Sequence, residues 1–274
     1  MSKTQKQGGQ TIGEALQSAF TLVSMLLAFV IAIVIYIYVM GNPINFEGGN
    51  PNGHPLPGNY LAMIYKGGYI VPLLITVNLL VIIFAFERAI TLAKARGKGR
   101  INVFVKQLQG FLNENKIEEA IAACDKQKGS LANVMKAGLL RYRTLQNDTH
   151  LVKDQKILAL QKEFEEATAL ELPMLSKNLV ILSTIASISV LIGLLGTVLG
   201  MIRAFGALAQ AGSPDALALA TGISEALINT AFGIAGSLIA IVLYNTFSTQ
   251  IDSFTYKIDE AGFSLIQSFA ASTK

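Results

Sequence analysis

Residues Leu179 to Phe247 read LVILSTIASISVLIGLLGTVLGMIRAFGALAQAGSPDALALATGISEALINTAFGIAGSLIAIVLYNTF, two long apolar segments joined by the short turn AQAGSPDA. A single carboxylate, Glu225, lies inside the second segment. A charge near the middle of a membrane helix costs about 2.5–3.5 kcal/mol on insertion scales, so such a residue is usually kept for a function or a partner. Small residues crowd both segments. Gly193, Gly196 and Gly200 recur in the first and Gly233 and Gly236 in the second, at the spacings of three and four that let helix backbones approach closely.

Relative depth follows from the numbering. If the segments are antiparallel helices about a turn centred between Ser213 and Pro214, residues equidistant from that centre lie level, because the rise per residue is the same in both. Thr197 and Thr230 are equidistant from it. Glu225 then lies about 7–8 Å nearer the turn, and Arg203 is level with Glu225 to within about 1.5 Å. Two charges so placed are expected to pair, across adjacent helices or adjacent subunits, since each relieves the cost of the other. For the threonines the plain alternative is a hydroxyl satisfied by its own helix carbonyl four residues back. For Glu225 it is a structural ion pair with no proton traffic.

The composition agrees with a membrane protein. Hydrophobic residues make up 52% of the chain and charged residues 15%, with a mean hydropathy of +0.49, far from the balance of a soluble domain. The net charge of +4 does not point to nucleic acid, because membrane topology alone makes loops basic and no zinc, recognition-helix or stacking motif accompanies it. One cysteine, Cys124, excludes an internal disulfide and any cysteine-based metal site. It reads as a small core residue.

Outward from the hairpin, Ala15 to Met40 is an apolar run long enough to cross the ~30 Å hydrocarbon core. A cleavable signal peptide would have a shorter apolar region followed by small residues; here MGNPINF follows, and a retained first span is expected. Gly41 to Gly68 switches to Gly, Pro and Asn and reads as an irregular loop rather than a helix. His54 within it has no evident ligand partners and is expected to be solvent exposed. Tyr69 to Phe86 is the second span, where Pro72 predicts a kink.

Sixteen of the 22 Lys and Arg lie between Arg88 and Lys177, whereas the loop Gly41 to Gly68 holds only Lys66. The positive-inside rule therefore puts residues 87–178 and both termini (residues 1–14 and 249–274) in the cytoplasm. Residues 41–68 and the turn 210–217 then lie outside, with the last two spans at 179–209 and 218–248. Residues 87–178 carry apolar residues at helical spacing, and GSLANVM and LQNDTH are expected to break them into about three helices. His150, in the second break, is given no role. Apolar residues from Ile251 to Phe269 predict an amphipathic helix continuing the last span. The expected fold is thus all-α, with four transmembrane helices and a large helical cytoplasmic region. No nucleotide, nucleophile or metalloprotease motif occurs, so neither an enzyme, a cofactor nor a metal is expected.

At GLLGTVLGMIRAF and GISEALINTAFGIAGSLIAIVLYN the chain resembles the ExbB/TolQ/MotA family of bacterial inner-membrane proton-channel subunits. The likeness covers the last two spans closely and, in outline, most of Tyr69 to the C-terminus. The GTVLG and EAL-x-x-TA-x-G pieces look most like the ExbB branch, with TolQ close behind. The resemblance implies a pentamer whose last two spans line a pore around an ExbD-like single-span partner carrying an intramembrane Asp. Proton flow would then drive movement passed on by a TonB-like protein to outer-membrane nutrient import. Carried over by residue, Thr197 and Thr230 match the family's polar pore ring and Glu225 its intramembrane glutamate. The segment Ala15 to Met40 and the Gly/Pro loop fall outside this likeness. Arg203 departs from it too, standing where an uncharged residue is usual, so a free and an Arg203-neutralised Glu225 are both expected alternatives.

Two other classes fit less well. A secondary transporter would show internal repeats and broken helices, and neither is present in the sequence. A scaffold would need no level hydroxyls and no intramembrane acid. Within the family, a TolQ- or MotA-like stator for envelope constriction or motility is the alternative.

Overall fold

The computed structural model describes residues 12–148, 150–210 and 216–272. Nine α-helices follow one another among them. Helix α1 (Ile12–Val34) ends in a π turn (Ile35–Met40), and α2 (Tyr60–Lys66) precedes α3 (Val71–Ala95). Four helices come next: α4 (Ile101–Asn113), α5 (Ile117–Gln127), α6 (Ser130–Gln146) and α7 (Lys153–Ser176). The long helices α8 (Leu179–Gln210) and α9 (Ala216–Ser272) complete the chain. The protein is an all-α, multi-pass membrane protein, with segments long and apolar enough to cross a bilayer at Phe20–Met40, Gly68–Ala95, Lys153–Gly206 and Gly222–Ser272. The last two exceed the ~20 residues a bilayer core needs, so only part of each crosses. The expected turn at 210–217 and the N-terminal stretch 1–14 fall mostly outside the described residues.

The chain forms two compact units, and α3, α8 and α9 contribute to both. The first comprises Met1–Phe84 with Ile181–Val242. Its interior is built from small and branched residues: Ala28 and Ala32 of α1, Leu74 and Val81 of α3, Leu182 and Ile185 of α8, and Ala226 and Ala240 of α9. Larger side chains such as Leu22, Leu26, Leu191, Val198 and Leu238 face outward. That inversion suits a surface covered by lipid or by another transmembrane helix.

Two expectations are corrected in this unit. The loop 41–68 is not wholly irregular, because Tyr60–Lys66 forms a helix capped by Asn59, whose side chain accepts from the amides of Leu61 and Ala62 at 3.1 and 3.2 Å. Such caps satisfy amides that a helix start otherwise leaves open. Pro72 does not kink α3. It falls in the first turn, where its missing N–H is not needed, and its carbonyl accepts from the Thr76 hydroxyl at 2.7 Å.

The second unit comprises Ala85–Val180 with Leu243–Lys274. Phe254, Ile258, Ala261, Leu265 and Phe269 form a buried stripe along the last part of α9, as their helical spacing predicts. Tyr142 of α6 stands edge-on to Phe269, 4.7 Å between centroids, and its hydroxyl meets Ser272 Oγ at 2.8 Å. Gly262 sits directly against the Phe164 ring, so any side chain there would displace it. Arg88 is 2% exposed; it pairs with Glu87 and donates to the Leu175 carbonyl at 3.0 Å. The expected three helices are four, α4 to α7. One break lies at Asn115 and another at Lys128 and Gly129, all with positive φ, while Ser130 to Met135 of GSLANVM is already helical. Cys124 is buried in α5, and burial pushes its thiol from the usual 9.0 up to about 12.

Candidate functional site

The seam between α8 and α9 begins with what glycine leaves out. A Cβ on Gly193 would lie 2.9 Å from the Asn229 carbonyl oxygen and 3.1 Å from the Gly233 Cα. One on Gly233 would lie 2.6 Å from the Ser189 carbonyl oxygen, and one on Gly200 2.7 Å from the Ala226 Cβ. Gly196 fits against the Asn229 side chain, and Gly236 against Ser189 and Asn78. Each of the five glycines singled out in the sequence thus has backbone or side-chain atoms closer than 3.0 Å to where a Cβ would stand.

At this closest approach the two threonines meet. Thr197 Oγ1 and Thr230 Oγ1 are in direct hydrogen-bond contact. Each also reaches carbonyls of the seam: Thr197 lies 3.3 Å from Gly193 O and 3.2 Å from Ala226 O, and Thr230 lies 3.3 Å from Gly193 O. Ala226 is the residue four before Thr230, so Thr197 takes the carbonyl that Thr230 would use for back-bonding on its own helix. The hydroxyls thus form one pair shared between helices rather than two isolated side chains. Both are half-buried. A hydroxyl pair with two carbonyls around it can accept and donate in either direction, which is what a proton or water passing an otherwise apolar wall requires.

Arg203 and Glu225 are not paired within the chain; among the described residues no ion pair joins them. The guanidinium of Arg203 donates to the Leu199 and Gly67 carbonyls, each at 3.4 Å, and lies 5.7 Å from the centroid of the Tyr69 ring. The two side chains have different neighbours. Glu225 is half-buried beside two cavities. One of about 420 Å³ lies between Ser224, Glu225 and Ile228 of α9 and the loop residues from His54 to Gly58. The other, of about 340 Å³, adds Lys66, Gly200, Arg203 and Gly222. Lys66 and Arg203 are the cations whose charge acts on Glu225.

Sequence reasoning missed Asn229 and Ser189. Asn229 is 1% exposed, and its amide donates to the Gly67 carbonyl at 3.1 Å while its Oδ1 has no partner among the described residues. The buried Ser189 hydroxyl likewise has none among the described residues, whereas Ser237 donates to the Ala186 carbonyl at 2.6 Å. The signal was present in INTAFG: an amide next to Thr230 inside a hydrocarbon-length helix is itself a polar residue that needs an interior partner.

Residues 126–260 match the MotA/TolQ/ExbB proton channel family. The Salmonella typhimurium biopolymer transport protein ExbB is 42% identical over 73 residues, covering 27% of this chain and 30% of that protein. The Tol-Pal system protein TolQ of Pseudomonas aeruginosa is 26% identical over 168 residues, 61% of this chain and 72% of its own length. A putative ExbB homolog of Methanothermobacter thermautotrophicus is 27% identical over 207 residues, 74% of this chain and 67% of that protein. The match to the Salmonella protein thus spans under a third of that relative's length.

Proposed function

The chain belongs to the MotA/TolQ/ExbB proton channel family, and on that premise we propose that it is the channel-forming subunit of an inner-membrane motor. In this reading it performs no enzymatic reaction. It assembles as a homo-oligomer, a pentamer by family resemblance, around an ExbD-like single-span partner whose intramembrane Asp exchanges protons with the polar ring. The converted energy is passed to a TonB-like protein for outer-membrane nutrient import. Both termini and residues 87–178 lie in the cytoplasm, and residues 41–68 outside.

The observation that carries the reading is the contact between Thr197 and Thr230 within a seam of glycines. The test is the double variant Thr197→Val, Thr230→Val, which keeps shape and removes both hydroxyls. Proton-driven output is expected to be lost with protein level and partner capture unchanged; normal output from that variant excludes the role.

A TolQ-like role in envelope constriction is the second reading, supported by the share of its own length over which the Pseudomonas protein aligns, 72% against 67% for the Methanothermobacter and 30% for the Salmonella ExbB relatives. Rescue of a strain lacking its own TolQ, against one lacking its own ExbB, separates the two.

A further inference from the structure

The loop between α1 and α3 is built, not slack. Asn45, buried, donates from its amide to the Val39 and Met40 carbonyls at 2.9 and 3.1 Å, and accepts from the Asn59 amide at 3.0 Å. Phe46 and Pro55 form an antiparallel bridge, with Glu47 N donating to His54 O at 3.0 Å and Leu56 N to Asn45 O at 3.1 Å. Lys66 Nζ sits 5.6 Å from the centroid of the buried Phe46 ring. These contacts fix where His54 to Gly58 run.

They run past Glu225. His54, Pro55 and Glu225 border both cavities described above, and Ala220, Ser224 and Ile228, at steps of four along α9, meet the same loop segment. A water occupies about 30 Å³ of liquid, so each cavity has room for several. Resting on the channel reading above, we propose that this loop roofs an outer entry chamber in which His54 collects protons from bulk water and passes them through chamber water to Glu225.

The charge pattern supports that assignment. The groups acting on or facing Glu225 are His54 from the loop, Lys66 from the end of α2, Arg203 from α8 and Tyr36 from α1. Arg203 is held on the Gly67 and Leu199 carbonyls and Lys66 over Phe46, so neither cation hands on a proton. Histidine is the side chain whose ordinary charge change falls between about pH 5 and 8. His54 is also exposed, which puts it in contact with solvent and chamber at once. In each cycle the imidazolium releases a proton to chamber water, Glu225 accepts it there, and the neutral imidazole takes the next from outside.

The experiment reconstitutes the chain with its single-span partner in liposomes and measures proton flux as the pH on the loop side is varied between about 5.5 and 8. His54→Gln is expected to slow flux several-fold at the upper end, where protons are scarce, and to flatten the pH profile, with assembly unchanged. As a second measurement, Ser224→Cys in a Cys124→Ser background is expected to react from the loop side with a small hydrophilic thiol reagent and not with a bulky one. Wild-type flux from His54→Gln at every pH, or equal reaction with both reagents, overturns the chamber while Thr197→Val, Thr230→Val still tests the channel. If that double variant conducts normally, the channel reading fails and the chamber with it.

Discussion

The Asn229 amide donates to the Gly67 carbonyl 3.1 Å away, and the Arg203 guanidinium reaches the same oxygen from α8 at 3.4 Å. One backbone carbonyl ahead of α3 thereby ties both helices of the hairpin to the chain leaving α2. A Cβ on Gly67 would fall 2.5 Å from Asn229 Oδ1 and 2.7 Å from Val71 Cγ2, so the residue must be glycine for the tie to form. Asn229→Ala is expected to lower stability in detergent by about 0.5–1.5 kcal/mol, the net worth of a hydrogen bond, because Arg203 still reaches the Gly67 carbonyl. Adding Arg203→Gln should cost more than the two single changes together, because only then is the carbonyl left with neither donor. Thermal melts of the three variants check both the size and the coupling.

The glycine seam can be tested against glycines that do nothing of the kind. Gly233→Ala drives a methyl to 2.6 Å from the Ser189 carbonyl oxygen, and separating the helices to admit it should cost about 1–3 kcal/mol. It should also pull the two threonines apart. In α4, a Cβ on Gly110 meets nothing within 4 Å, so Gly110→Ala should stabilise by about 0.5–1 kcal/mol through helix propensity alone. Equal melting temperatures for the two variants would contradict the close approach.

What could be read from sequence was one-dimensional. Order, length and height along the membrane follow from a fixed rise per residue, and this is why Thr197 and Thr230 could be placed level and are found in contact. Azimuth does not follow from height. Arg203 and Glu225, level by numbering, do not pair within the chain, and the partner of Arg203, Gly67, lies 136 residues away. Helix α2 was hidden for another reason: YLAMIYK has seven residues, too few to show a period, and Gly and Pro surround it. Its one local signal was Asn59 placed before an apolar run, a capping pattern.

Cys124 gives a pH dependence with a definite sign. Burial raises its thiol from the usual 9.0 to about 12, so above pH 9 the unfolded chain loses this proton while the folded chain keeps it. Stability from this group is whole below pH 9 and falls as pH rises towards 12. Denaturant midpoints measured at pH 8 and pH 10 should drop more for the wild type than for Cys124→Ala. The same burial predicts that the thiol stays unmodified by alkylating reagents at pH 8 until the protein is unfolded. Modification at the rate of a free thiol in the folded state would show that the site is open.

Glu225 and Arg203 separate two ways of keeping a charge in a membrane helix. Arg203 has its partners inside the chain, the Leu199 and Gly67 carbonyls and the Tyr69 face. Glu225 has no hydrogen bond or ion pair among the described residues and borders two cavities of about 420 and 340 Å³. Removing the charge of Arg203 should therefore act on structure, and removing that of Glu225 on output. Arg203→Gln is expected to lower stability by about 0.5–1.5 kcal/mol, the net worth of a hydrogen bond, since the side chain is exposed and the Gly67 carbonyl keeps its Asn229 donor. Glu225→Gln should leave stability and partner capture at wild-type levels while proton-driven output falls. In the double variant the effects should add within about 0.5 kcal/mol, as for independent sites. The competing picture is an ion pair formed across a subunit boundary. In that case each single change strands the other charge, both weaken assembly, and the double change recovers it. Partner pull-down with a melt on each of the three variants distinguishes the pictures. A coupling above about 1 kcal/mol, with assembly rescued in the double variant, would establish the pair and remove Glu225 from the proton path.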